Sequence, residues 1–157
     1  MTAPHDPGPK PTVAVLGSGS WGTALAVHLA RTGHRTVLWG IETEELNAMD
    51  RDRVNGRYLP GVTLPDGVEI EHDFARAVMQ ADQLLLVVPS HAFREVLAKA
   101  RPLLRPGQRV AWATKGFELT TGKLPHDVAA EVLGPGVPMA VLSGPTFAAE
   151  VARGLPA

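Results

Sequence analysis

The stretch Val13-Ala14-Val15-Leu16-Gly17-Ser18-Gly19-Ser20-Trp21-Gly22 decides the fold of this chain. Four consecutive apolar residues suit a central strand covered on both faces better than an amphipathic strand with one face in water. Beyond the glycines, residues 20–31 place Ala24, Leu25, His28 and Leu29 near one helical face and end at Thr32-Gly33, a good helix stop. A lone GxGxxG is a weak signal, but here a strand precedes it and a helix follows. In that context Gly17 permits the tight turn, Gly19 lets a pyrophosphate approach the backbone, and Gly22 lets the helix pack closely on the strand. Unpaired amides and the positive helix end then hold the phosphates. The bland alternative is a glycine-rich turn with no ligand.

Outward from this unit, short apolar runs alternate with helix-like segments, the pattern of βαβ units feeding a parallel sheet. The spacing predicts strands at 12–16, 35–39, 67–70, 83–88, 109–114 and 139–142. Helices are expected at 20–31, 42–54, 74–80, 91–104 and 123–133, with Pro102 and Pro106 ending the fourth. The fold class is therefore α/β: a doubly wound, mostly parallel sheet with helices on both faces. Residues 55–66, with two prolines and two glycines, read as a long loop of the kind that often binds or covers a ligand.

The 157 residues carry 15 Lys+Arg against 16 Asp+Glu, and no cysteine. This excludes a disulfide scaffold and any thiol or Cys-ligated metal chemistry, and no metal site is expected. A net charge of −1 without a basic block lacks the footprint of a nucleic-acid binder. No run approaches the roughly 18 apolar residues of a membrane span, and residues 1–11, with four prolines, read as a disordered leader rather than a secretory signal. Residues 12–157 form the expected domain, and a cytoplasmic address is the default.

Several residues then stand where chemistry is expected. The second strand ends at Trp39-Gly40-Ile41-Glu42, where such a domain meets the adenosine ribose, but the tip is Gly40 and no Arg adjoins Glu42 in the sequence. Glu42 serves either the ribose or the dipole of the helix it opens. Lys115 follows the fifth strand and places an ammonium at the carboxyl end of the sheet, near a ketone oxygen or a phosphate, unless it is simply solvated. Thr146, after Ser143-Gly144-Pro145, either caps a short helix or faces a ligand. Ser90 reads as an N-cap with His91 in the following first turn, a structural role. Trp21 and Tyr58 each read as packing residues or as covers over the ligand.

At this point the sequence resembles a known family, the bacterial-type NAD(P)-dependent sn-glycerol-3-phosphate dehydrogenases. The resemblance rests on GSGSWGTALA (17–26), YLPGVTLP (58–65), VVPSHAF (87–93) with ATKGFE (113–118), and SGPTFAAEVARGLP (143–156). It implies a Rossmann domain whose all-helical substrate domain lies outside this sequence. It also implies that Gly17, Gly19, Ser20, Trp21, Gly22, Ile41, Tyr58, Lys115 and Ala148 meet the cofactor. Lys115, Gly144 and Thr146 would meet the substrate, sn-glycerol 3-phosphate or dihydroxyacetone phosphate. The family's proton-transferring lysine belongs to the helical domain, so these residues alone are expected to bind but not to catalyse. Ile41 stands where many members carry Arg or His, which leaves NADPH and NADH both open as cofactor. A homodimeric parent is compatible with the resemblance. The alternatives are a reductase of another small 2-hydroxy or 2-keto acid and a non-catalytic NAD(P)-binding sensor.

Overall fold

Every residue of the first strand, β1 (Val13–Leu16), is buried, and alternate side chains enter two separate cores. The computed structural model describes residues 8–156. On one face Val13 and Val15 pack with Ala24 and Val27 of α1 (Ser20–Arg31) and with Leu46 and Met49 of α2 (Thr43–Asp52). On the other, Ala14 and Leu16 meet Ala77 and Val78 of α3 (Phe74–Gln80), Phe93 and Leu97 of α4 (Ser90–Ala100), and Val128 and Leu133 of α5 (Pro125–Leu133). Burial on both faces is the physical reason the strand is apolar at every position.

With β2 (Thr36–Trp39), β3 (Val68–Glu71), β4 (Gln83–Leu86), β5 (Arg109–Trp112) and β6 (Met139–Val141), the sheet has the order β3-β2-β1-β4-β5-β6 and is parallel throughout. The order reverses between β1 and β4, where Leu16 pairs with Trp39 on one side and Leu86 on the other. Ligands of open α/β sheets bind at that reversal. A short helix α6 (Ala148–Ala152) lies against α1, with Arg31 donating to the Ala152 carbonyl.

The differences from the sequence-based expectations have local causes. The last ladder pair is at Leu86: Val87 still donates its amide to the Leu16 carbonyl at 2.8 Å, Val88 does not pair, and the chain turns through Pro89 into α4. The fourth helix stops at Ala100 rather than 104, because Pro102 lacks the amide an α-turn needs and residues Arg101–Leu103 tighten into a 3-10 turn. The loop at 55–66 is not a free lid: Leu59, Val62 and Leu64 are buried in the α1/α2 core, and Val54 bridges Thr63. Its entry is fixed by Arg53, the one non-glycine residue with positive φ among the described residues, whose guanidinium donates to the Pro65 and Val68 carbonyls. Helices cover both faces at the sheet centre, but Met139 and Val141 of the edge strand β6 are exposed. Residues 1–7 of the expected leader lie outside the described residues; beyond them, Lys10 donates to the Thr32 carbonyl and Pro11 O is hydrogen-bonded to His34 Nδ1.

Candidate functional site

The glycine loop is shaped by what a side chain would strike. At Gly17, φ is +127° and a Cβ would lie 2.2 Å from the Val87 carbonyl oxygen; at Gly22 it would lie 1.8 Å from the Gly17 carbonyl oxygen. Gly22 therefore serves the turn itself, as well as the close approach of helix and strand. Gly19 is different: its φ of −70° and ψ of −174° suit any residue, and a Cβ there would meet nothing within 4 Å. Open space beside Gly19 is what an approaching phosphate requires. Gly19 is also the N-cap of α1, so no side chain caps the helix, and its first turn holds no acidic residue. The amides of Ser20, Trp21 and Gly22 thus face outward as a preorganised anion site.

A buried polar residue supports this loop from behind. Asn55, 1% exposed, donates through Nδ2 to the Ser18 carbonyl and to Thr23 Oγ1, both at 2.8 Å, and accepts from the Tyr58 amide at 3.0 Å. Thr23 Oγ1 in turn donates to Ser18 O at 3.3 Å. The sequence reading missed Asn55, since nothing local links it to a turn so far back in the chain. It also missed the reason for Gly40, where a Cβ would lie 1.9 Å from Ser18 Oγ.

A cleft of about 390 Å3 opens at the β1/β4 reversal, lined by Gly17, Ser18 and Gly19, by Trp39, Ile41, Glu42 and Tyr58, and by Val87, Pro89 and His91. Here the structure joins the glycine motif, Ile41 and Tyr58. Glu42 is the N-cap of α2 without a side-chain capping bond; its carboxylate instead accepts from the Tyr58 hydroxyl at 2.8 and 3.1 Å. That bond to the carboxylate, followed by desolvation, pushes the Tyr58 phenol above its usual value. Arg57 stands 3.4 Å from Glu42 and 3.3 Å from Glu45, so a guanidinium does adjoin the strand tip although none does in the sequence. The expected cap at Ser90 is not formed: Pro89 is the N-cap and Ser90 is the first helical residue. His91 is exposed and lines the cleft.

At the other end of the loop, Ser20, Trp21, Ala113, Lys115, Thr146, Phe147 and Ala148 line an adjoining groove. Trp21 is both a packing and a lining residue, half-buried against the α1 core while facing the groove. Lys115 is exposed and makes no hydrogen bond or ion pair with the described residues. Thr146 does not cap α6, whose N-cap is Phe147. Gly144 lies outside the lining of this groove. Behind Lys115, its loop is pinned to α4: Arg94 donates to Glu118 at 2.6 and 2.9 Å and to Glu131 at 2.9 Å, and Thr121 Oγ1 donates to Glu118. These bonds, that from Arg94 first, hold the Glu118 carboxyl at about 2. A free cation on a braced loop, beside a helix N-terminus, can bind a phosphate or stabilise charge on a carbonyl oxygen.

Residues 12–157 match the family described as NAD-dependent glycerol-3-phosphate dehydrogenase N-terminus. The chain belongs to this family. It is 52% identical over 145 residues to an Escherichia coli protein named glycerol-3-phosphate dehydrogenase, NAD(P)+, covering 92% of the chain and 43% of that relative. A crystal structure of glycerol-3-phosphate dehydrogenase from Coxiella burnetii superposes with a TM-score of 0.88 at 44% identity, over 94% of the chain and 45% of the other. A Saccharomyces cerevisiae glycerol-3-phosphate dehydrogenase follows the same fold with a TM-score of 0.79 at 27% identity, over 92% of the chain and 45% of the other. The chain thus spans less than half the length of these relatives, and the doubly wound fold is shared across the family. Among the described residues no helix is long and apolar enough to cross a membrane, and no group of His, Asp or Glu could hold a metal ion.

Proposed function

We propose that this chain forms the NAD(P)(H)-binding part of an oxidoreductase that interconverts sn-glycerol 3-phosphate and dihydroxyacetone phosphate and so supplies glycerol phosphate for phospholipid synthesis. The observation that carries this reading is the placement of unpaired Lys115 in one groove with Ser20, Trp21, Thr146 and Ala148, directly beyond an anion-binding glycine loop. Bound there, the nicotinamide supplies or takes the hydride at its C4. The uncapped turn of α1 holds the pyrophosphate through the amides of residues 20–22, with the open face at Gly19 giving access. Ile41, Glu42 and Tyr58 flank the adenosine ribose in the cleft at the tip of β2. Lys115 orients the substrate through its phosphate or C2 oxygen and stabilises negative charge developing at that oxygen. Thr146, in the same groove, offers a hydroxyl to the substrate. The proton exchanged at C2 belongs to a residue outside this sequence, in the helical domain the resemblance implies. A cytoplasmic location and a homodimeric parent complete the reading.

The test is NADPH oxidation on addition of dihydroxyacetone phosphate by a protein of the relatives' full length that carries this chain. Lys115→Ala is expected to raise KM and lower kcat together. Unchanged kinetics would remove Lys115 from the site, and turnover of another 2-keto acid with none of dihydroxyacetone phosphate would favour the alternative reductase.

A further inference from the structure

The tip of β2 carries no cation of its own: Gly40, Ile41 and Glu42 follow Trp39, and α2 opens with Thr43, Glu44 and Glu45. The cation at this end comes from the loop that returns after α2. Arg57 Nη1 lies 3.4 Å from Glu42 Oε1 and 3.3 Å from Glu45 Oε1, with its guanidinium carbon 5.1 Å from the Tyr58 ring centroid.

Three features bear on what Arg57 does. Glu42 lines the cleft that holds Gly17–Gly19 and Ile41, and Arg57, outside that lining, stands beside it through its pair with Glu42. The pair is half exposed, and exposed ion pairs contribute little, so Arg57 exchanges a carboxylate for another anion at small cost. Glu42 does not depend on Arg57 for its place, because the Tyr58 hydroxyl holds both of its oxygens. A second cation, Lys99, shares an adjoining recess with Ile41, but its ion partner at 2.8 Å is Glu95 on its own helix rather than Glu42 at the strand tip.

Resting on the cofactor-binding reading above, we propose that Arg57 determines cofactor choice by receiving the 2′-phosphate of NADP(H), leaving Glu42 and Glu45 to do so, while Glu42 accepts the ribose hydroxyl of NAD(H). The planar fork of a guanidinium suits a phosphate, and without it a dianionic phosphate would face two carboxylates uncompensated. One arginine against two carboxylates makes NADPH acceptable without making NADH unwelcome. The side chain is exposed at the loop surface, so replacing it leaves the core untouched.

The experiment measures Kd for NADPH and NADH by nicotinamide fluorescence in the wild-type chain and in Arg57→Ala, Arg57→Lys and Lys99→Ala, each checked for folding by circular dichroism. Arg57→Ala is expected to weaken NADPH about tenfold or more and leave NADH within about twofold, with Arg57→Lys in between and Lys99→Ala unchanged. Equal loss of both cofactors would make Arg57 a pyrophosphate or structural residue and overturn the proposal. So would no loss of either, or a selective loss of NADPH in Lys99→Ala alone. If the folded wild-type chain bound neither cofactor, the cofactor-binding reading would fall, and this inference with it.

Discussion

Replacing Gly19 with valine separates the phosphate site from the fold. The backbone at Gly19 is extended, with φ −70° and ψ −174°, which a β-branched residue adopts without strain, and its Cβ would meet no atom within 4 Å. The native protein should therefore lose only about 1 kcal/mol, the difference between glycine and a poorer capping residue at the N-cap of α1, with no packing contact disturbed. The isopropyl group would instead fill the space through which a phosphate oxygen reaches the amides of Ser20 and Trp21. Losing two charge-assisted hydrogen bonds, at about 1.5 kcal/mol each, costs about 3 kcal/mol, or roughly 150-fold in Kd. Gly17→Ala is the contrasting variant, since its Cβ would lie 2.2 Å from a backbone oxygen at a φ of +127° and the turn itself must shift. Thermal unfolding without ligand and nicotinamide fluorescence titration measure the two effects. Gly19→Val should melt within a few degrees of wild type and bind the cofactor about 150-fold more weakly, whereas Gly17→Ala should melt lower. Wild-type affinity in folded Gly19→Val would refute the assignment of this loop.

Three further outcomes are expected. Asn55→Ala, by removing the acceptor of the Tyr58 amide and one of the two donors to the Ser18 carbonyl, should cost about 1–3 kcal/mol, seen as a fall in Tm of several degrees; an unchanged Tm would show that the Asn55 hydrogen bonds add nothing. Because Glu118 is held at about 2 when folded against an ordinary 4.5, its pairing stabilises the protein above about pH 4.5 and is lost as pH falls toward 2. Acid titration of Glu118→Gln should accordingly lack that part of the pH dependence, and an identical profile would contradict it. Finally, the 157-residue chain should bind reduced cofactor yet show no NADPH oxidation with dihydroxyacetone phosphate; activity in the purified chain would place the proton donor within it, with Lys115 and His91 the first suspects.

The strands and the glycine loop were legible because a doubly covered parallel sheet writes its burial directly into apolar runs, as in Leu84-Leu85-Leu86. Their ends were less so, since Val87 and Val88 are apolar whether they pair in the ladder or wall a cleft. Lys115, Trp21, Thr146 and Ala148 were legible through motifs that sit at strand ends, and the fold brings them to one groove. Contacts made across the 53–65 loop were not. Arg57 meets Glu42 and Asn55 meets Ser18 only after the loop folds back, driven by burial of Leu59, Val62 and Leu64. Neighbours in the sequence place no arginine beside the strand tip, and Ser90 suits an N-cap by residue type although the backbone gives that position to Pro89.

The most direct test of the central claim is an amide NMR titration of the 15N-labelled chain with NADPH. Saturable shifts are predicted at residues 17–22, at the β2 tip and Tyr58, at residues 87–91, and at Lys115 and residues 143–148, with α5 and the β6 edge unchanged. No shifts at millimolar cofactor, or shifts confined to another face of the sheet, would contradict the assignment of this chain as a dinucleotide-binding domain.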